Sequence, residues 1–114
     1  MNTLTNGQIF LYETLGTATL LLLGCGVVAA AILRESKAFG GGWLLINFGW
    51  GLAVFAGVFV AYQSGAHLNP AVTIGLALRD GQLIDGVPAT AANMFYYIAG
   101  QMVGAIIGVR TSTM

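Results

Sequence analysis

The chain has 114 residues, of which 57% are hydrophobic and only 7% charged, with a formal net charge of zero. Soluble domains run near a quarter charged, and a soluble chain this small could not hide so much apolar surface in one core, so lipid is the expected solvent. The absence of a basic run argues against nucleic acid as a partner, and the single Cys25, set in an apolar stretch, cannot form an internal disulfide and reads as a small packed residue.

Taken from the N-terminus, Met1 to Gln8 carries no Lys or Arg. The apolar run that follows therefore lacks the positive flank of a signal peptide, and it is too long for one. Three segments reach the roughly 20 residues that a helix needs to cross the hydrocarbon core: Ile9 to Leu33, Gly42 to Tyr62 and Ala89 to Val109. Polar breaks separate them at Arg34-Glu35-Ser36-Lys37 and at Arg79-Asp80-Gly81-Gln82. The first span contains Gly24-Cys25-Gly26, which reads as packing, since no strand precedes it and no phosphate-loop Lys follows. Gly16 and Gly24 on the first span, and Gly100, Gly104 and Gly108 on the third, are spaced to let helices approach closely.

Between the second and third spans, Ala66 to Leu78 is apolar but too short to cross, and it is interrupted by His67, Asn69 and Pro70. A segment of this length is a core helix or a re-entrant one, and its place directly after a span favours the latter. Asn69 suits a helix N-cap and Pro70 the first helical position. A helix from Pro70 to Leu78 would be about 13 Å long, which puts its positive end near the midplane. The irregular stretch Gln63 to Leu68 would then lie at membrane depth, where such backbone is tolerated only if buried in protein or lining a watery cavity. A broken helix at the midplane is a recurrent device of transport sites.

Ser64-Gly65-Ala66-His67-Leu68-Asn69-Pro70-Ala71-Val72-Thr73 resembles the first signature loop of the aquaporin (major intrinsic protein) family. Glu13-Thr14-Leu15-Gly16-Thr17 is similar to the family's opening helix, and Gln101-Met102-Val103-Gly104-Ala105 to the packing motif of its third helix. The resemblance runs from about Ile9 to Val109. It implies an all-α membrane protein: three transmembrane helices plus one re-entrant half-helix over about 64–79, half of an aquaporin-like inverted-repeat fold, with residues 1–114 as the N-terminal half. The implied setting is the cell membrane, with membrane lipid and small uncharged solutes as partners, a homo-oligomer (tetrameric in the full-length family) and no cofactor or metal. The N-terminus would be cytoplasmic, which puts Arg34, Lys37 and Arg110 outside and Arg79 inside, against the positive-inside tendency.

The resemblance also implies roles. Asn69, Pro70 and Ala71 would be the pore motif, with the Asn69 amide donating to a passing hydroxyl or water. Backbone carbonyls of Gly65, Ala66, His67 and Leu68 would form an acceptor ladder. Glu13 would brace the loop by accepting its N–H groups. An acid at mid-span costs roughly 2.5–3.5 kcal/mol on insertion scales, and the bland alternative is a Glu at the interface. His67, the only histidine, has no clustered co-ligands for a metal and reads as a loop brace.

Trp50, directly before Gly51-Leu52, stands where the family's glycerol-facilitator branch has Trp and its water-selective branch usually has Phe, whereas Trp43 reads as interfacial. The segment from Gly51 to His67 is one residue shorter than the family's usual spacing, worth about 100° of helix rotation. Either the Gln63 region absorbs it or Trp50 leaves the pore face.

The implied activity is passive, facilitated diffusion of glycerol and other small uncharged polyols, and of water. The alternative is a non-conducting fragment that assembles with full-length channels. An enzyme is disfavoured, since no nucleophile, base and orienter are grouped. The second Asn-Pro-Ala loop of the family and the arginine after it are absent from the sequence. This suits a partial product of a full channel, a natural half that pairs with an inverted copy, or a non-conducting remnant.

Overall fold

The computed structural model describes residues 4–114. Helix α1 runs from Asn6 to Ile32, three residues earlier than hydropathy alone suggests, because Thr5 and Gln8 form a reciprocal capping box: Thr5 Oγ1 accepts from the Gln8 N–H at 3.2 Å and Gln8 Oε1 from the Thr5 N–H at 2.9 Å. Helix α2 spans Gly42–Ala61 and passes into a 3₁₀ turn, Tyr62–Ser64, one residue short of the expected end. The half-helix α3 covers Pro70–Asp80 and ends at Gly81 in the left-handed conformation. Helix α4 covers Ala91–Ser112, with Thr90 accepting from the Asn93 N–H as its cap. Helices α1 and α4, and α2 with its terminal turn, are long and apolar enough to cross a bilayer.

The connection after α3, expected as a polar break, is a small antiparallel hairpin of β1 (Gln82–Ile84) and β2 (Val87–Pro88) that turns at Asp85-Gly86, with Gly86 at φ 84°. Asp-Gly is favoured where a tight hairpin needs positive φ. The Ala89 N–H donates to the Gly81 carbonyl across its base, 3.0 Å. Leu83 and Val87 are buried, and they pack with Ile9 and Tyr97 into the core cluster of this end of the molecule.

Helix α1 is the centre of the bundle, with α4 on one side and α2 on another. The α1–α4 seam is backbone on backbone. A Cβ added at Gly100 would lie 2.8 Å from the Phe10 carbonyl and one at Gly108 2.5 Å from that of Ala18, with Gly104 tighter still on Thr14. The repeat of four on both helices keeps the two backbones in register, as small-residue packing in lipid requires. Gly16 and Gly24 serve α2 instead: a Cβ at Gly16 would meet Ala61 and Leu68, and one at Gly24 would strike the Trp50 ring. The outward faces carry large exposed apolar side chains, including Trp43, Phe48, Phe55, Phe59 and Leu78, the arrangement of a chain solvated by lipid.

Candidate pore site

The site begins at the N-terminus of α3. Asn69 is extended, and its Oδ1 accepts from the Ala71 N–H at 2.9 Å. Its main-chain carbonyl accepts from Val72 and Thr73. Pro70 occupies the first turn, where its missing N–H costs nothing. The Asn69 side chain is exposed, and its amide NH2 has no partner among the described residues. At 11 residues, α3 is about 16 Å long, and its first turn lies beside the middle of α4, where Gln101 donates to Thr73.

The five residues before Pro70 are bent unusually. Gly65 has φ 85°, but Ala66 (49°) and Leu68 (56°) are also left-handed and are not glycine. That conformation costs an L-residue about 1–2 kcal/mol, and it persists only where the surroundings over-determine it. Glu13 supplies much of that determination. Fully buried, it accepts from Ser64 Oγ (2.6 Å) and the His67 N–H (3.1 Å) through Oε1, and from the Leu68 N–H (2.8 Å) and Gln101 Nε2 (3.0 Å) through Oε2. A carboxylate satisfied by four donors in the bundle interior is not an interfacial one. The Ala66 N–H is taken by the Ala61 carbonyl at 3.1 Å. The loop's donors thus turn toward the bundle, while the carbonyls of Gly65, Ala66, His67 and Leu68 accept no hydrogen bond among the described residues.

Behind the loop lies a connected polar set. His67 is buried, with Nδ1 2.9 Å from Thr73 Oγ1 and Nε2 2.9 Å from the Leu83 carbonyl. A carbonyl only accepts, so Nε2 carries a proton, and in the neutral ring Nδ1 then accepts from the Thr73 hydroxyl. Thr73 accepts in turn from Gln101 Nε2 at 3.0 Å. With both amide protons of Gln101 committed to Glu13 and Thr73, its Oε1 is left without a partner among the described residues. Tyr97 stacks on the His67 ring, centroids 4.4 Å apart, and donates its hydroxyl to the Ser64 carbonyl at 2.5 Å.

The structure thus gathers Glu13, Gly65, Ala66, His67, Leu68, Asn69, Pro70 and Ala71 into one region. Trp50 is apart from it. Its half-buried ring lies over Gly24 and lines a cavity of about 550 Å³ with Val28, Ile46 and Asn47. Asn69 lines a separate hollow of about 330 Å³ with Leu20, Val54, Val58 and Leu68. Trp50, Val54 and Val58 are one turn apart each on unbroken α2, so Trp50 continues the face that borders Asn69. The irregular backbone falls later, in the turn Tyr62–Ser64. Sequence reasoning did not single out Ser64, Thr73, Tyr97 or the Leu83 carbonyl, and it read Gln101 only as part of a packing motif. A signal existed for Tyr97, which precedes Gln101 by one helical turn and so shares its face.

Three spanning helices, with a half-helix that enters from one side and presents its positive end inside the bundle, define a multi-pass membrane protein of the channel-forming kind. The model of the major intrinsic protein family matches residues 1–113, and the chain belongs to that family. It is 47% identical over 97 residues to the glycerol uptake facilitator protein of Streptococcus pneumoniae, covering 84% of this chain and 38% of that protein. It is 46% identical over 102 residues to a probable glycerol uptake facilitator protein of Thermotoga maritima, covering 89% and 41%. To Aquaporin-1 of Rhizopus delemar it is 44% identical over 102 residues, covering 87% and 30%. The chain therefore spans about two fifths of the length of the first two relatives. No solved structure matches it.

Proposed function

We propose that the chain forms one half of a transmembrane pore for glycerol and other small uncharged polyols, and for water, working by passive facilitated diffusion without a cofactor. The observation that carries this reading is the split of the loop's polar groups: the N–H groups of His67 and Leu68 are held inward by Glu13, while four successive carbonyls and the Asn69 amide are left free. Carbonyls accept from the solute's O–H groups and the Asn69 NH2 donates to its oxygens, so a hydroxyl moves along a row of ready partners and exchanges hydration for protein contacts. The positive end of α3 disfavours cations and protons at the same point. Trp50 offers an apolar wall for the carbon side of a polyol, which water does not need. The glycerol facilitators among the relatives support the choice of solute.

The Asn69 hollow has an open side, so the reading requires a second half to close the pore, on the same polypeptide or another. Assembly into homo-oligomers and a cytoplasmic N-terminus are part of the proposal. The same open side favours a second reading for the segment alone, that of an assembly partner that conducts nothing until it is covered.

The test is light scattering from proteoliposomes that hold the chain alone, or the chain joined to the remaining part of the Streptococcus pneumoniae relative. Glycerol permeability above that of empty vesicles is expected for the joined form. Asn69→Asp keeps the helix cap but replaces the donor with a charge, and it should lower glycerol permeability at least about tenfold, some 1.4 kcal/mol of barrier. Unchanged permeability in Asn69→Asp would sink the assignment of the pore.

A further inference from the structure

The hairpin Gln82–Pro88 lies outside the spanning helices, yet it reaches the candidate pore loop through one residue. The Leu83 carbonyl is the acceptor for His67 Nε2 at 2.9 Å. The Leu83 side chain is buried, and with Val87 it packs on Ile9 and Tyr97. Tyr97 is the ring on which His67 stacks and the donor to the Ser64 carbonyl. Ile84, next on β1, packs over Gly65: a Cβ added there would be 3.5 Å from Ile84 Cδ1. The pore loop is therefore clamped between Glu13 on one side and the hairpin on the other.

We propose that Leu83 is a positioning residue for the pore loop. It touches no solute. Its carbonyl holds the His67 ring in the Nε2–H form, which leaves Nδ1 to accept from Thr73 and fixes the ring plane. The backbone of His67 lies between left-handed Ala66 and Leu68, so a ring free to turn would let the peptide planes on either side rotate, and the free carbonyls would lose their common direction. A polyol engages several carbonyls at once and water one or two, so disorder in the row weakens polyol passage more than water passage. The inference rests on the pore reading given above.

His67 is the only histidine, so ¹⁵N-histidine labelling reports on this one ring. In the chain held in detergent micelles, the wild-type spectrum should show a neutral imidazole protonated at Nε2, with a separate unprotonated Nδ1 resonance. Two variants loosen the hairpin without changing a loop residue: Gly86→Val, which puts a β-branched residue at φ 84°, and Leu83→Ala, which removes one of the four buried side chains of the cluster. Both should move the two nitrogen resonances toward each other as the ring samples both tautomers. In the joined proteoliposome form, both should lower glycerol permeability about fivefold, the net worth of one hydrogen bond, with water permeability within about twofold. A wild-type ring protonated at Nδ1 overturns the proposal, as does an unchanged His67 spectrum in both variants, or a changed spectrum with an unchanged glycerol-to-water ratio. If one variant loses its helical circular dichroism, the other and the wild-type spectrum still decide. Absence of flux from the joined wild type overturns the pore reading itself, and is seen before any variant is made.

Discussion

The two ends of the α1–α2 pair are built in different ways. At the end that holds the candidate pore loop, the buried carboxylate of Glu13 accepts four hydrogen bonds, and Ser64, His67, Thr73, Tyr97 and Gln101 are linked to it or to one another. At the other end, Trp50, Trp43, Ile46 and Asn47 border an open cavity of about 550 Å³, and neither tryptophan indole is engaged in a hydrogen bond among the described residues. The first end is complete within this chain. Each left-handed residue there has a partner that holds its peptide in place, so the direction of the free carbonyls is set without outside help. The second end is a surface whose shape depends on what lies against it. A solute path along both would take its hydrogen-bonding row from the first and its apolar wall from the second.

The largest way to break that contrast is to remove the carboxylate. Glu13→Ala leaves the His67 and Leu68 N–H groups and one of the two Gln101 amide protons unpaired, each a buried donor worth about 1–3 kcal/mol when orphaned. A destabilisation of at least about 3 kcal/mol is expected, read by denaturant titration in mixed micelles, together with loss of glycerol flux from the joined form. A loss below about 1 kcal/mol would mean that the loop holds its shape without Glu13, and the first end would not be the self-contained unit described here.

Next in size is the seam that carries Glu13 and Gln101 toward each other. Gly104→Ala would drive a Cβ into the Thr14 carbonyl, backbone against backbone with no flexible side chain to yield. A loss of about 2 kcal/mol is expected from such overpacking. Gly75→Ala on α3 meets nothing within 4 Å and should raise stability by about 0.5–1 kcal/mol through helix propensity alone. The same titration reads both. Equal effects at the two glycines would show that close α1–α4 approach does not govern the stability of this end.

How much of this could be read from the sequence follows from how local each cause is. Asn69 and Pro70 were legible as cap and first turn because capping is a matter of two or three residues. Glu13 stood out because an ionisable group in a span is costly, but its role as a loop brace came from the family resemblance alone, and its four donors could not be named, since Ser64, His67, Leu68 and Gln101 lie 51 to 88 positions away. The positive φ of Ala66 and Leu68 had no signature at all: neither is a residue that favours it, and tertiary bonds impose it. Asp85-Gly86 between Leu83-Ile84 and Val87 was a turn signal, but strands of three and two residues are too short for a hydrophobic period to show. The facing of Trp50 depended on where the helix gives way to irregular backbone, and the sequence pattern did not mark that point: α2 runs to Ala61 and the turn follows at Tyr62–Ser64.

Trp50 offers a smaller test at the open end. Trp50→Phe keeps an aromatic ring but removes area from the wall, and it also withdraws the ring that covers Gly24. The glycerol-to-water permeability ratio of the joined form should fall about two- to fivefold, the scale of about one methylene group of lost apolar contact, while the denaturation midpoint changes little. A stability loss as large as that of Gly104→Ala, with an unchanged ratio, would make Trp50 a packing residue of the α1–α2 pair and leave the apolar wall to other groups.

The smallest effect is expected where neither kind of construction applies, at the exposed C-terminal end of α3. Arg79 and Asp80 form an exposed ion pair. The hydrogen bond from Arg79 holds the Asp80 carboxyl below its ordinary range, and the same bond raises the Arg79 guanidinium. A depressed carboxyl stabilises the fold above its unfolded pKa of about 4 and loses that contribution as pH falls below it. A raised guanidinium acts only at strongly alkaline pH. Neither group changes its state between about pH 5 and pH 9, so the pair predicts a flat stability there, and solvent screening keeps its contribution small even at the acid end. Arg79→Gln should therefore leave the denaturation midpoint at pH 7 where it was, in low and in high salt. A midpoint that falls on this substitution at low salt, with the gap to the wild type closing at high salt, would mean that the hairpin end is held by surface charge. In that case the buried contacts of Leu83 and Val87 would not be what anchors it, and the contrast between a self-contained end and an open one would have to be redrawn around the C-terminal end of α3.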